Sequence, residues 1–127
     1  MITLKNRKGN ILIVNDQNET SFILNRILQK EGYWVRFACN FTEAMDVLRK
    51  KAIDIVLTEM DMPNMNGIDL LKEIKKVKPE VPVVMMTDNG NIDSYLEAMY
   101  LGAFEYFNKP VKDKILCKAI EMAMETS

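Results

Sequence analysis

Short apolar runs alternate with longer amphipathic ones along the chain. Ile11-Leu12-Ile13-Val14 is unbroken, rich in β-branched residues, and ends at Asn15-Asp16. A continuous run of this kind suits a strand buried on both faces, as in a parallel sheet. Over residues 17–31, Phe22, Ile23, Ile27 and Leu28 recur at helical spacing, and Gly32 stops the helix. Residues 34–39 read as a second strand. Asn40 followed by Glu43 predicts an N-cap and capping box for a helix through about residue 51. Residues 53–58 form a third strand, and residues 59–66 a loop rich in Met, Pro and Asn. Gly67 opens a helix through residue 78, with Ile68, Leu71, Ile74 and Val77 inward, and Pro79 ends it. Residues 81–86 predict a fourth strand, 87–90 a loop, and 92–101 a helix closed by Gly102. Residues 103–107 predict a short fifth strand, and about 111–124 a last helix.

Five strand–helix units in strict alternation predict an α/β domain. It is a doubly wound, five-stranded parallel sheet with right-handed crossovers and helices on both faces. Residues 1–9 read as an N-terminal tail and 10–127 as one domain. Ligand sites in such sheets lie at the carboxyl ends of the strands. There the chain offers Asn15 and Asp16, then Glu59, then Thr87 and Asp88, then Lys109 before Pro110. Hard oxygen ligands suit Mg²⁺, and a hydroxyl with an ammonium suits phosphoryl oxygens. Taken singly, an Asp after a strand is usually a helix cap or a turn former. Joint placement at four strand ends is harder to assign to caps.

Composition narrows the chemistry. The 127 residues carry 17 basic and 18 acidic side chains, 48% hydrophobic residues and no histidine. The length suits one domain that needs no metal or disulfide staple. A formal charge of −1 argues against bulk electrostatic binding of nucleic acid or membrane. Without histidine there is no Ser-His-Asp or Cys-His nucleophile pair. Cys39 and Cys117 form no CxxC pair and read as buried thiols of a reducing cytosol. No apolar run approaches the length of a bilayer span, so a cytoplasmic location is expected.

The chain resembles the receiver domain of bacterial two-component response regulators. The resemblance covers residues 10–125 and rests on four stretches, at 11–16, 54–67, 83–87 and 102–110. It implies a flavodoxin-like (βα)₅ fold that accepts phosphate from a partner kinase's phosphohistidine. By resemblance Glu59 stands at the phosphoacceptor position, Thr87 and Lys109 contact the phosphoryl group, and Tyr106 is the aromatic switch. Asn15 and Asp16 stand at the acidic pair that, with the phosphoacceptor residue and the backbone carbonyl of Asp61, holds Mg²⁺. The Lys109–Pro110 bond resembles one that is usually cis. The face made by the fourth helix, fifth strand and fifth helix is the family's signalling and dimerisation face, and here Tyr95, Met99, Tyr100 and Tyr106 lie on or near it. The implied partners are a sensor histidine kinase or another signalling protein, an output domain, and a second copy of the chain.

Three positions depart from the family pattern. Glu59 replaces an Asp, which moves its carboxylate on the order of 1.5 Å outward and spoils in-line attack. Asn15 removes a negative charge and weakens Mg²⁺ binding. Asp88, where the family has a small residue, repels an incoming phosphoryl group if it points inward. The sequence therefore reads as an atypical receiver, not phosphorylated at Glu59, in which Mg²⁺ is weak or absent. It acts as a phosphorylation-independent or phosphomimetic interaction switch rather than as an enzyme. One alternative is a conventional Mg²⁺-dependent phosphoacceptor receiver in which Glu59 was engineered from Asp. Another is a phosphatase of the haloacid-dehalogenase type, which Glu59-Met60-Asp61 resembles, although its nucleophile must be Asp. A flavin module would want a phosphate loop better than residues 15–20.

Overall fold

A computed structural model describes residues 8–126. Its order is β1 (Gly9–Val14), α1 (Asn18–Lys30), β2 (Tyr33–Ala38), α2 (Phe41–Lys50) and β3 (Ile55–Glu59). There follow β4 (Asp61–Met62), β5 (Met65–Asn66), α3 (Gly67–Val77), β6 (Val83–Thr87), α4 (Ile92–Tyr100), β7 (Glu105–Asn108) and α5 (Asp113–Thr126). The main sheet runs β2-β1-β3-β6-β7, every pair parallel. This is the expected five-stranded flavodoxin-like architecture. β1 begins at Gly9, one residue before the domain boundary expected from the sequence. Residues 1–7 of the expected tail lie outside the described residues.

The period-two alternation of a strand divides the core. Leu12, Val14, Val56, Val83 and Met85 pack beneath α2, α3 and α4 with Met45, Leu48, Leu71, Ile74 and Ala98. Ile11, Ile13, Ile55, Leu57, Val84 and Met86 face the other way, against Leu24 and Leu28 of α1 and Leu116 and Ile120 of α5. Because both faces are covered, β1, β3 and β6 need apolar residues at successive positions.

Local signals act as read at several points. The Asn40 side chain accepts from the Glu43 N–H at the start of α2. Glu43 reaches back one residue further than a capping box requires, accepting the Cys39 N–H at 3.0 Å. Asn66 caps α3 by accepting from the Ile68 N–H at 2.7 Å. The Lys109–Pro110 bond is cis.

Four details correct the sequence reading. The buried stripe of α1 is Ser21, Leu24 and Leu28, so Phe22 and Ile23 stand exposed at 61% and 52%. Val77 is also exposed, being the last helical residue beyond the turn that buries Ile74, while Leu70 is buried. The loop at 59–66 contains the antiparallel β4–β5 hairpin. Cys39 is exposed and Cys117 half-buried, because Cys39 follows the end of β2 and Cys117 lies beside the buried stripe of α5.

Candidate functional site

Three neighbouring strands deliver the site. β3 ends in Glu59, β6 in Thr87, and Lys109 follows β7. Backbone hydrogen bonds hold these ends in register: the Met60 N–H donates to Met86 O and the Lys109 N–H to Thr87 O, each at 2.8 Å. The turn after Glu59 is tight. Gly67 donates its N–H to Met60 O at 2.7 Å, and a Cβ on Gly67 would lie 2.8 Å from Met60 Cα. Only glycine lets α3 begin so close to the strand end.

The Glu59 side chain is 7% exposed, and its Oε2 meets the ammonium of Lys109. Burial pushes the Glu59 carboxyl above its ordinary value, against the pull of Lys109. Asp88 does not point into the crevice. Its side chain is 69% exposed, and its Oδ2 stands 3.8 Å from the Lys109 ammonium. It therefore supplies Lys109 with a second, looser counter-charge rather than a barrier.

Thr87 is fully buried, and its hydroxyl donates to Asp61 Oδ2 at 2.8 Å. Thr87 Oγ1 in turn accepts the Asn89 N–H at 3.1 Å. Nothing in the sequence reading assigned the Asp61 side chain, as opposed to its carbonyl, to the site. Asn15 is buried, and its Oδ1 accepts the Gln17 N–H at 2.8 Å. Asp16 beside it is half-buried.

Two of the side chains expected to hold Mg²⁺ are engaged within the chain. Asn15 directs its oxygen to a backbone N–H and Glu59 faces an ammonium, while Asp16 stands half-buried beside Asn15. Among the described residues no three His, Cys, Asp or Glu side chains group as metal ligands.

Tyr106 is expected as the aromatic switch, on or near the signalling face. It is 7% exposed, so its ring lies beneath that face. Its hydroxyl is hydrogen-bonded to Ser94 Oγ, and Tyr95 meets its ring edge-on with centroids 5.6 Å apart. Ser94 and Asn91 form the capping box of α4, and the Asn91-x-x-Ser94 spacing was the available signal for it. Gly90 also shapes this pocket, since a Cβ there would strike Asn108 Oδ1 and the Tyr106 hydroxyl. Of the other face residues, Met99 packs against the core, Tyr95 is part-exposed and Tyr100 is 90% exposed. Ile92, Leu96 and Tyr100, at i, i+4 and i+8, make an exposed apolar stripe on α4, and Ile115 and Met122 are exposed on α5.

The profile of the response regulator receiver domain family matches residues 11–121. The chain belongs to this family. It is a two-component response regulator receiver, a signalling module. It is 40% identical over 100 residues to the sporulation initiation phosphotransferase F of Bacillus subtilis, covering 79% of this chain and 81% of that protein. It is 40% identical over 101 residues to the transcriptional regulatory protein ZraR of Klebsiella oxytoca, covering 80% of this chain and 23% of that protein. A receiver structure from Clostridium thermocellum superposes with a TM-score of 0.87 at 35% identity, covering 92% of this receiver and 94% of that chain. Against the transcriptional regulators, the receiver thus spans about a quarter of the relative's length. No helix among its described residues is long and apolar enough to cross a membrane.

Proposed function

We propose that this receiver is not phosphorylated at Glu59 and works as a phosphorylation-independent or phosphomimetic protein-interaction switch. The observation that carries the reading is the buried ion pair between Glu59 and Lys109. By resemblance, Lys109 contacts the phosphoryl group of a phosphorylated receiver. Here a carboxylate one methylene longer than Asp reaches it directly. The longer side chain that spoils in-line attack is the one that holds this pair.

Magnesium has little part in this reading. Asn15 brings no charge and its oxygen is engaged, so Mg²⁺ is held weakly or not at all. The module acts in the cytoplasm. Its partner is a sensor kinase or another signalling protein, and an output domain in the same polypeptide accords with its match to one quarter of the transcriptional regulators. The apolar stripe on α4, together with α5, supports homodimerisation through the α4–β7–α5 face.

The test is incubation with Mg²⁺ and acetyl phosphate, followed by intact-mass and peptide mapping. No phosphoryl adduct is expected on Glu59. A stable adduct there would restore the conventional phosphoacceptor reading.

A further inference from the structure

Two donors face the crevice from β6 and from the residue after β7: the Thr87 hydroxyl and the Lys109 ammonium. Each is already engaged by a carboxylate of the same chain. Lys109 meets Glu59. Thr87, 26 residues away in sequence, donates to Asp61 at 2.8 Å. Thr87 is fully buried, so its hydroxyl has no bulk solvent to turn to. Asp61 begins the β4–β5 hairpin, pinned at its base by the β4–β5 pairing and by the Gly67 N–H bond to Met60 O. The carboxylate is thus held on a short two-stranded arm, and the hydroxyl is held from behind by the Asn89 N–H.

We propose that Asp61 is a positioning residue that, together with Glu59, fills the phosphoryl-contacting donors from within the chain. Glu59 neutralises the ammonium, and Asp61 takes the hydroxyl. This rests on the reading of Glu59 above and extends it. Neutralising Glu59 alone frees only one of the two donors, so the pocket stays closed to a tetrahedral oxyanion until Asp61 is removed as well. The tie also couples the hairpin that leads into α3 with the loop that leads into α4.

The probe is inorganic phosphate at constant ionic strength, read through the amide shifts of Thr87, Asp88 and Lys109. Glu59→Gln/Asp61→Ala is expected to bind phosphate about tenfold more tightly than Glu59→Gln, the scale of one hydrogen bond to a charged acceptor. Adding Thr87→Val to the double variant is expected to abolish the gain, which separates the hydroxyl from the mere loss of a negative charge. Glu59→Gln/Asp61→Asn, which keeps an acceptor oxygen, is expected to fall well short of the alanine variant. A second readout needs no ligand. Hydrogen exchange at the Asn89 amide, which leans on the Thr87 hydroxyl, is expected to speed up about fivefold in Asp61→Ala and to stay near wild type in Asp61→Asn.

Equal phosphate affinity in Glu59→Gln and Glu59→Gln/Asp61→Ala, absence of binding in both, or a gain that survives Thr87→Val would each overturn the role of Asp61. None of these outcomes bears on acetyl phosphate labelling at Glu59, so failure of this inference and failure of the reading it rests on are separately visible.

Discussion

The hydroxyl of Tyr106 in β7 is hydrogen-bonded to Ser94 in the first turn of α4. Ser94 also closes the capping box with Asn91, donating to Asn91 O and accepting from the Asn91 N–H. One hydroxyl thus joins the start of a helix to an aromatic ring at the end of the sheet. Ser94→Ala leaves the Tyr106 hydroxyl buried without its partner and removes half of the cap. A loss of about 2 kcal/mol is expected in urea unfolding. Tyr106→Phe in the Ser94→Ala background should recover part of it, whereas additive losses would show that the two hydroxyls are not coupled.

Lys109→Met would leave Glu59 buried without its counter-ion. Removing one partner of a buried pair costs about 3 kcal/mol or more, visible as a lower urea midpoint. Glu59→Gln/Lys109→Met should regain much of that loss. A Lys109→Met variant as stable as wild type would show that the pair contributes nothing.

The raised Glu59 carboxyl makes stability depend on pH in a definite direction. Between the ordinary value of 4.5 and the higher folded value, the folded chain holds a proton that the unfolded chain has released. The Glu59 contribution is therefore fully present below 4.5 and is lost as pH rises through the folded value. Urea midpoints of wild type minus those of Glu59→Gln should fall across this interval. A difference that climbs instead would mean that Lys109, not burial, sets the carboxyl.

Gly67→Ala is expected to destabilise by about 2 kcal/mol, the scale of overpacking. The added carbon meets Met60 Cα and Glu59 O, both backbone atoms that cannot rotate away. Thermal unfolding checks this, and an unchanged midpoint would mean that α3 shifts freely.

Asn15→Asp adds a charge beside Asp16 at the end of β1. If charge count limits the cation, Mg²⁺ should bind at least about tenfold more tightly than in the parent chain, as measured by calorimetry. An unchanged affinity would place the obstacle at Glu59 or Asp61 instead.

Leu96→Glu on the exposed stripe of α4 should leave folding stability within about 0.5 kcal/mol and abolish self-association in sedimentation. Retained association would move the dimer surface elsewhere.

The alternation of strands and helices, the parallel sheet, and the arrival of Glu59, Thr87 and Lys109 at neighbouring strand ends are all legible in the order of the residues. These follow from apolar runs whose lengths and periods suit a sheet covered on both faces, as Ile11–Val14 illustrates. Periodicity was less sure of phase on α1, where Phe22 and Ile23 are as apolar as Leu24 and only packing shows which side faces the sheet. Tertiary structure alone decided the pairings inside the crevice. Asp61 meets Thr87 across 26 residues of chain, Asp88 turns outward, and Tyr106 turns inward to Ser94. A hydrophobic pattern records which residues avoid water. It does not record which acceptor a buried hydroxyl finds, because that depends on where the crossovers set each strand end and on the rotamer left open there.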